Sequence, residues 1–182
     1  MAGAVTSTAE SLVVLAALTD REKAKVLDSL IAQDPAFAAR VGRAGRGVLA
    51  AVEIDAIASA VADAVLGLDQ EELSHHAGRT RYGYVEPTAA AWSLLEATLE
   101  PWLHDITRRA ELGFHGPARQ IALGMLQGLE HADDHGGSDE LLLSWAPDFT
   151  DEARETVQRQ LAALGIEPIE SQGDCGSSAT GP

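Results

Sequence analysis

The chain has 182 residues, with 28 acidic side chains against 13 Lys and Arg, and its formal net charge is −15. This length is enough to bury a sizeable core in one domain, whereas so acidic a surface repels phosphate backbones and disfavours direct binding to DNA or RNA. Only 4% of the residues are aromatic, and the apolar content is mostly Ala, Leu, Val and Ile without strand-like alternation, so the sequence predicts an all-α fold.

The single cysteine, Cys175, lies in a Gly- and Ser-rich segment and excludes an intramolecular disulfide. The N-terminus lacks a basic region followed by an unbroken apolar run, so no signal peptide is evident. No apolar segment reaches the roughly 18 residues that a membrane span needs. We therefore expect a cytoplasmic protein without membrane contact.

Helix-start signals divide the first part of the chain into short helices. A Ser, Thr or Asp followed three residues later by Glu is typical of a capping box, and Asp before Pro is a second entry signal. These signals stand at Ser7, Thr19, Asp34 and Asp69. Such closely spaced starts predict short antiparallel helices. We expect the glycines at positions 42, 45 and 47 to break the helical structure between the third helix and the next one.

The segment Arg79–Val85 differs in composition from the acidic helices around it. It holds two arginines and two tyrosines around one glycine, and both residue types are enriched at binding hot spots. A recognition loop is one interpretation, and the other is that the tyrosines pack the loop onto the helices. The predicted partner-binding residues are Arg79, Arg81, Tyr82 and Tyr84.

A long helix is predicted from Pro87, because proline at the first helical position loses no hydrogen bond. Apolar residues from Trp92 to Ala110 then recur at spacings of three and four, which places them on one helix face. Gly113 is a suitable residue just beyond the C-terminus of this helix. Pro101 removes one helical hydrogen bond, so we expect either a kink or two helices that meet near residue 100.

A partner helix is predicted from Gly116 and Pro117, and the short connection forces the two helices to run antiparallel. Gly124 and Gly128 lie four residues apart on this partner helix. The favoured interpretation of the glycine pair is tight packing inside one domain. Close approach of another chain is the alternative.

An acidic, histidine-containing stretch follows and is predicted to be a loop. Two histidines four residues apart on a helix could bind zinc from one face, with a carboxylate as the third ligand. The candidate metal ligands are His131, Asp133, Asp134 and His135. The glycines at positions 136 and 137 favour a frayed helix end, and a solvated loop is the simpler interpretation, so no cofactor is expected.

A last amphipathic helix is predicted from Thr150 and ends at Gly165, with Val157 and Leu161 on its apolar face. Residues 166–182 are polar and Gly/Ser-rich, and we expect them to form a disordered tail. No nucleophile and histidine have the spacing of a triad, and no glycine-rich loop has the pattern of a phosphate site. We therefore assign no catalytic residue.

Two segments carry a resemblance to a known family. Arg81-Tyr-Gly-Tyr-Val-Glu-Pro-Thr-Ala-Ala-Ala-Trp92 and Trp145-Ala-Pro-Asp-Phe149 resemble an uncharacterised family of bacterial helical proteins. The pattern is similar to the HEAT-like helical regions attached to SWIM zinc-finger domains, and Leu18–Arg40 resembles their opening hairpin. The resemblance implies an α-helical interaction module without an assigned activity, although the Cys/His zinc motif itself is not in this sequence.

These observations together predict a single all-α domain over residues 8–165, with about seven or eight helices in antiparallel pairs and HEAT-like stacking. The leading hypothesis is a non-catalytic module that binds a protein partner, with homo-oligomers left open. One alternative is a metal-dependent enzyme that uses the loop from His131 to His135. Another is an acidic inhibitor or mimic that binds a basic, nucleic-acid-binding partner, because residues 120–164 carry nine acids against two bases.

Overall fold

The computed structural model describes residues 8–68, 70–80, 83–135 and 142–169. Within these ranges the chain forms eight α-helices, one short 3-10 helix and a two-stranded β-hairpin, so the prediction of an all-α fold is confirmed. The helices are α1 (Thr8–Ala17), α2 (Asp20–Gln33), α3 (Pro35–Ala50), α4 (Ile54–Leu66), α5 (Gln70–His76), α6 (Pro87–Glu111), α7 (His115–His135) and α8 (Phe149–Ala163). The strands are β1 (Gly78–Thr80) and β2 (Gly83–Val85), and the 3-10 helix is Leu142–Trp145.

The chain divides into two compact units, which we call the N-terminal unit (Met1–Val48) and the C-terminal unit (Leu49–Pro182). The N-terminal unit holds α1, α2 and most of α3, and the C-terminal unit holds the remaining elements. A single domain over residues 8–165 was the expectation from sequence. The internal packing of the two units differs.

Local capping defines the helices of the N-terminal unit. At the start of α2 the predicted capping box is present: the Thr19 amide donates to the Glu22 carboxylate at 2.9 Å, and the Glu22 amide donates to the Thr19 hydroxyl at 3.4 Å. The hydrogen bonds from the Thr19 amide and then the Thr19 hydroxyl lower the pKa of Glu22. At the start of α3 the Asp34 carboxylate accepts a hydrogen bond from the Ala36 amide at 2.8 Å.

The glycines at positions 42, 45 and 47 do not break the helix, contrary to expectation: α3 continues through them to Ala50. Each glycine lowers helix stability by about 1 kcal/mol relative to alanine, but the neighbouring Ala, Arg and Leu residues are good helix formers. No side chain from residue 12 to residue 48 is buried, and none of these three glycines has a close neighbour other than the end of one arginine side chain. The N-terminal unit therefore has helices without a buried core.

The C-terminal unit is built around α7, which packs against α4, α6 and α8. The closest approach is between α7 and α4, where a Cβ atom placed on Gly124 would lie 2.9 Å from the Ile54 carbonyl oxygen. A Cβ atom on Gly128 would lie 2.6 Å from the Ala58 carbonyl oxygen and 2.8 Å from Cβ of Val61. The two glycines therefore mediate tight packing within this unit, as the sequence favoured.

The long helix α6 begins at Pro87, as predicted, and continues without a break through Pro101 to Glu111. The alternative of two helices that meet near residue 100 is therefore wrong. Gly113 adopts a positive φ of 83°, and the next amide, on Phe114, donates to the Arg109 carbonyl at 2.8 Å. This reversal leads directly into α7, whose start at His115 places the two helices side by side.

An ion-pair network holds the end of α3 to α6 within the C-terminal unit. Asp105 accepts hydrogen bonds from Arg108 and from Arg109, the latter at 2.9 Å from Nε, and Arg109 donates in turn to the Leu49 carbonyl. Partial burial raises the pKa of Asp105, but the two arginines outweigh this effect and leave the pKa below its ordinary value of 3.8. The Leu49 carbonyl is one of the last in α3, so Arg109 supplies the donor that the helix lacks there.

At its other end the C-terminal unit joins α8 to α7 and to the segment that follows α8. The buried Thr150 hydroxyl donates to the Asp133 carboxylate of α7 at 2.9 Å, so Thr150 links two helices. The helix α8 begins one residue before the predicted start, at Phe149. Gln158 pairs with the backbone of Ile169 through both amide atoms, at 2.6 and 3.1 Å.

This pairing moves the boundary of the packed region. Ile166 is buried and Ile169 packs against the core, so the packed chain extends past residue 165, where the tail was expected to begin. Residues 170–182, the rest of the expected tail, lie outside the described part of the chain.

None of the helices in the described ranges combines the length and the apolar character that crossing a bilayer requires.

Candidate functional site

The predicted recognition segment forms the β-hairpin. In its antiparallel register Gly78 pairs with Val85, and Arg79 pairs with Tyr84. Directly paired residues project from the same face of a two-stranded sheet. Arg79 and Tyr84 therefore share one face, and Val85 lies on the other.

The two faces of the hairpin have different environments. Val85 packs against the hydrophobic core, as does Ala77 immediately before β1. Both strands are therefore anchored at the base of the hairpin, where β1 begins and β2 ends. On the opposite face Arg79 is exposed and Tyr84 is 66% exposed. The interpretation in which the tyrosines pack the loop onto the helices does not apply to Tyr84.

Two of the four predicted contact residues, Arg81 and Tyr82, lie outside the described residues. Gly78 and Gly83 are the first residues of the two strands, and their φ angles of 91° and 136° are ones that other residues rarely adopt. The hairpin was expected as a loop, because three-residue strands are too short to leave an alternating pattern in the sequence.

The candidate metal ligands lie on the last turns of α7, not in a loop. The rings of His131 and His135 stack with their centroids 4.2 Å apart, and Nδ1 of His135 lies 2.8 Å from the His131 carbonyl oxygen. Asp133 faces α8, where Thr150 and, at 3.9 Å, Arg154 contact its carboxylate. The side chain of Asp133 is thereby directed away from a shared metal position.

No group of three or more His, Cys, Asp or Glu side chains that could hold a metal ion occurs in the described ranges. Asp134 is exposed, and residues 136–141, which include Asp139 and Glu140, lie outside those ranges. The arrangement of the four candidate ligands gives a metal-dependent reaction no geometric support.

A groove that no sequence pattern predicted lies between α6 and α8. Its volume is about 460 Å³, and Trp92, Leu99 and Phe149 lie along its floor. The Trp92 and Phe149 rings meet edge to face with their centroids 5.3 Å apart. Three exposed glutamates, Glu96 and Glu100 from α6 and Glu152 from α8, line its walls.

The groove was missed because it is created by tertiary packing. Trp92 and Phe149 are 57 positions apart in the chain. Periodicity placed Trp92 on the apolar face of its helix, whereas Phe149 belonged to no predicted helix. The acidic side chains at this spacing are also what any solvated helix face would show.

No protein-family model, curated protein or solved structure matches the chain. Its function is therefore argued from the residues and their arrangement alone.

Proposed function

We propose that this chain is a non-catalytic, α-helical protein-interaction module whose contact surface is the exposed face of the β-hairpin, which carries Arg79 and Tyr84. The proposed partner-binding residues also include Arg81 and Tyr82, which stand between these two in the sequence. The HEAT-like character expected from the resemblance to helical regions attached to SWIM zinc-finger domains belongs to this proposal. The antiparallel packing of α6 and α7 supports it.

The observation that carries the proposal is the exposure of Tyr84 beside Arg79 on a hairpin with anchored ends. A tyrosine side chain offers a large, rigid contact area with a polar tip, and arginine adds a planar donor group, which makes both residues frequent anchors of interfaces. Anchoring at Ala77 and Val85 lowers the ordering cost of binding. The surrounding acidic surface would favour partners with basic or neutral contact patches.

The proposal is tested by affinity capture from the native cell with the full chain as bait. A Tyr82→Ser/Tyr84→Ser variant should lose the partner that the unaltered chain captures, with an unchanged circular-dichroism spectrum. Leu112→Ser serves as the matched control, because Leu112 is also a large exposed side chain, at 56%, but lies at the end of α6 away from the hairpin. Equal capture by both variants would rule out the hairpin as the contact surface.

A further inference from the structure

We propose that the groove between α6 and α8 is a second binding site and that its occupant is a basic amphipathic helix of a partner protein. The site is separate from the hairpin face and uses none of its residues. The shape of the groove, the charge of its walls and one backbone group fit such an occupant.

The shape fits a helix. The part of α6 that lines the groove extends from Trp92 to Leu103, which is about 16 Å or three helical turns. Two neighbouring helices with an apolar floor between them offer a third helix a place to pack its apolar side chains. Apolar side chains at positions i, i+4 and i+7 of that helix would follow a floor of this length.

The charge of the walls selects a basic helix. Among the ion pairs in the described part of the chain, none involves Glu96, Glu100 or Glu152. The neighbouring acids Asp105 and Asp151, in contrast, are paired with arginines of their own helices. The groove thus presents an apolar floor between uncompensated carboxylates, which complements apolar residues flanked by Lys or Arg.

A backbone acceptor adds to the same wall. Ala97 is one of the residues that line the groove, and its carbonyl lacks the usual helical donor four residues later because Pro101 has no N–H group. A lysine or arginine side chain that reaches the wall between Glu96 and Glu100 can donate to this carbonyl as well as to the carboxylates. The proline inside α6 therefore increases the preference of the groove for donor-bearing, cationic side chains.

The C-terminal segment of this chain is not a suitable occupant. Residues 170–182 carry two acidic residues and no Lys or Arg, so the acidic walls would repel them. A second copy of the chain would bring its own net charge of −15 to the groove. These charges favour a partner of opposite sign.

Binding is measured by fluorescence anisotropy with the full chain and a labelled helical peptide of about 18 residues, in which Leu forms one face and Lys the flanks. We expect saturable binding in the micromolar range that weakens as salt rises from about 50 to about 300 mM. A peptide of the same composition with the helical pattern scrambled should bind at least about tenfold more weakly. Equal binding of the two peptides would overturn the proposal.

Two variants separate charge from shape. Replacement of the three wall glutamates by glutamine (Glu96→Gln, Glu100→Gln and Glu152→Gln) should weaken binding by about tenfold or more. The matched control carries the same change of net charge elsewhere on the surface, at Glu111, Glu130 and Glu155, and should change binding by less than about threefold. An equal loss in the control would show nonspecific attraction and overturn the proposal.

The shape variant is Ala97→Phe, which fills the groove from an exposed helix position and leaves every carboxylate in place. It should reduce peptide binding as strongly as the three glutamine substitutions while the thermal unfolding temperature is retained. Unchanged binding would place the peptide elsewhere on the surface. Sedimentation of the chain alone gives a further readout, because a dimer that the peptide disrupts would identify a second copy as the occupant and contradict the proposal.

Discussion

The two units of this chain reach helical structure by different means. In the C-terminal unit, α7 lies among three other helices, and Leu95, Ile121 and Leu129 are almost completely removed from solvent. In the N-terminal unit large apolar side chains remain exposed, with Val13 at 70% and Leu27 at 40%. One unit is stabilised by burial, and the other depends on local signals such as the Thr19 capping box.

This difference indicates where the stability of the protein lies. Helices held mainly by caps and intrinsic propensity open locally at low free energy, whereas helices around a shared core unfold together. We therefore expect changes in the C-terminal unit to alter global unfolding, and changes in the N-terminal unit to alter only local opening.

Leu95→Ala should lower the free energy of unfolding by about 3 kcal/mol, because it leaves a cavity at a fully buried position in α6. The matched substitution Leu27→Ala, in α2, should change it by less than about 0.5 kcal/mol. Thermal denaturation followed by circular dichroism compares the two. A similar loss from Leu27→Ala would show that the N-terminal unit has a core of its own.

Gly128→Ala should destabilise the C-terminal unit by about 2 kcal/mol, because the new methyl group would overlap the Ala58 carbonyl oxygen and Val61. Gly45→Ala, in α3, meets no neighbouring atom and should stabilise its helix by about 0.5 to 1 kcal/mol. Urea denaturation should report the loss in Gly128→Ala, and slower hydrogen exchange of the α3 amides should report the gain in Gly45→Ala. A stabilising effect of Gly128→Ala would mean that α4 and α7 can separate easily.

Asp105→Asn should lower the free energy of unfolding at neutral pH by about 1 kcal/mol, since it weakens the network through Arg109 to the Leu49 carbonyl. The pKa of Asp105 is lowered in the folded state, so its stabilising contribution is present above the unfolded pKa and is lost as pH falls through the folded value. The difference between the unaltered chain and the variant should therefore shrink as pH falls below about 4 and vanish once pH lies below the folded-state pKa.

The control for this prediction is Asp20→Asn, which removes an exposed pair with Lys23 in the N-terminal unit. It should change the unfolding temperature little at any pH. Melting curves across the acidic range measure both variants, and a difference for Asp105→Asn that persists in acid would contradict the assigned role of the carboxylate.

Thr19→Ala should leave the global unfolding temperature unchanged and raise the hydrogen-exchange rates of α2 amides by about fivefold, which corresponds to about 1 kcal/mol for a lost cap. Ser29→Ala, in the middle of α2, should not raise them. Exchange is measured by NMR or mass spectrometry at peptide resolution. A global loss of stability in Thr19→Ala would remove the distinction between the two units.

Local signals predicted the parts of the fold that depend on one or two neighbouring turns. The Thr19 cap, the start of α6 at Pro87 and the reversal at Gly113 follow from backbone chemistry that any context preserves. The glycine pair at positions 124 and 128 was informative for the same reason, because a side chain that is missing every fourth residue allows close approach on one helix face.

Signals that compete with one another were misleading. The glycines of α3 and those after His135 both suggested interruption, yet α3 continues and α7 extends to His135. A glycine costs about 1 kcal/mol in a helix, which several strong helix formers on either side can offset. The acidic, histidine-containing stretch offered Asp133 as one of four candidate metal ligands. In the structure the Asp133 carboxylate instead contacts Thr150 and Arg154 of α8.

The candidate sites show the same limit. Composition was enough to select Arg79 and Tyr84 as candidate contact residues, because two aromatic and two basic residues in an acidic chain are visible without coordinates. Only the hairpin register shows that Arg79 and Tyr84 share one face of the hairpin while Val85 lies on the other. The groove was invisible, because its floor and walls come from helices that only the folded chain brings together.

Gln158 has a consequence for the design of shortened proteins. Its carboxamide hydrogen-bonds to both the amide and the carbonyl of Ile169, as a neighbouring strand would. Ile166, between α8 and Ile169, is buried in the core. In a recombinant fragment that ends with α8, the Gln158 carboxamide would lose both hydrogen-bond partners. The core residues that Ile166 covers would become exposed to water. Expression boundaries chosen from helix ends alone would thus yield a weakened protein, and the fragment should retain Ile169.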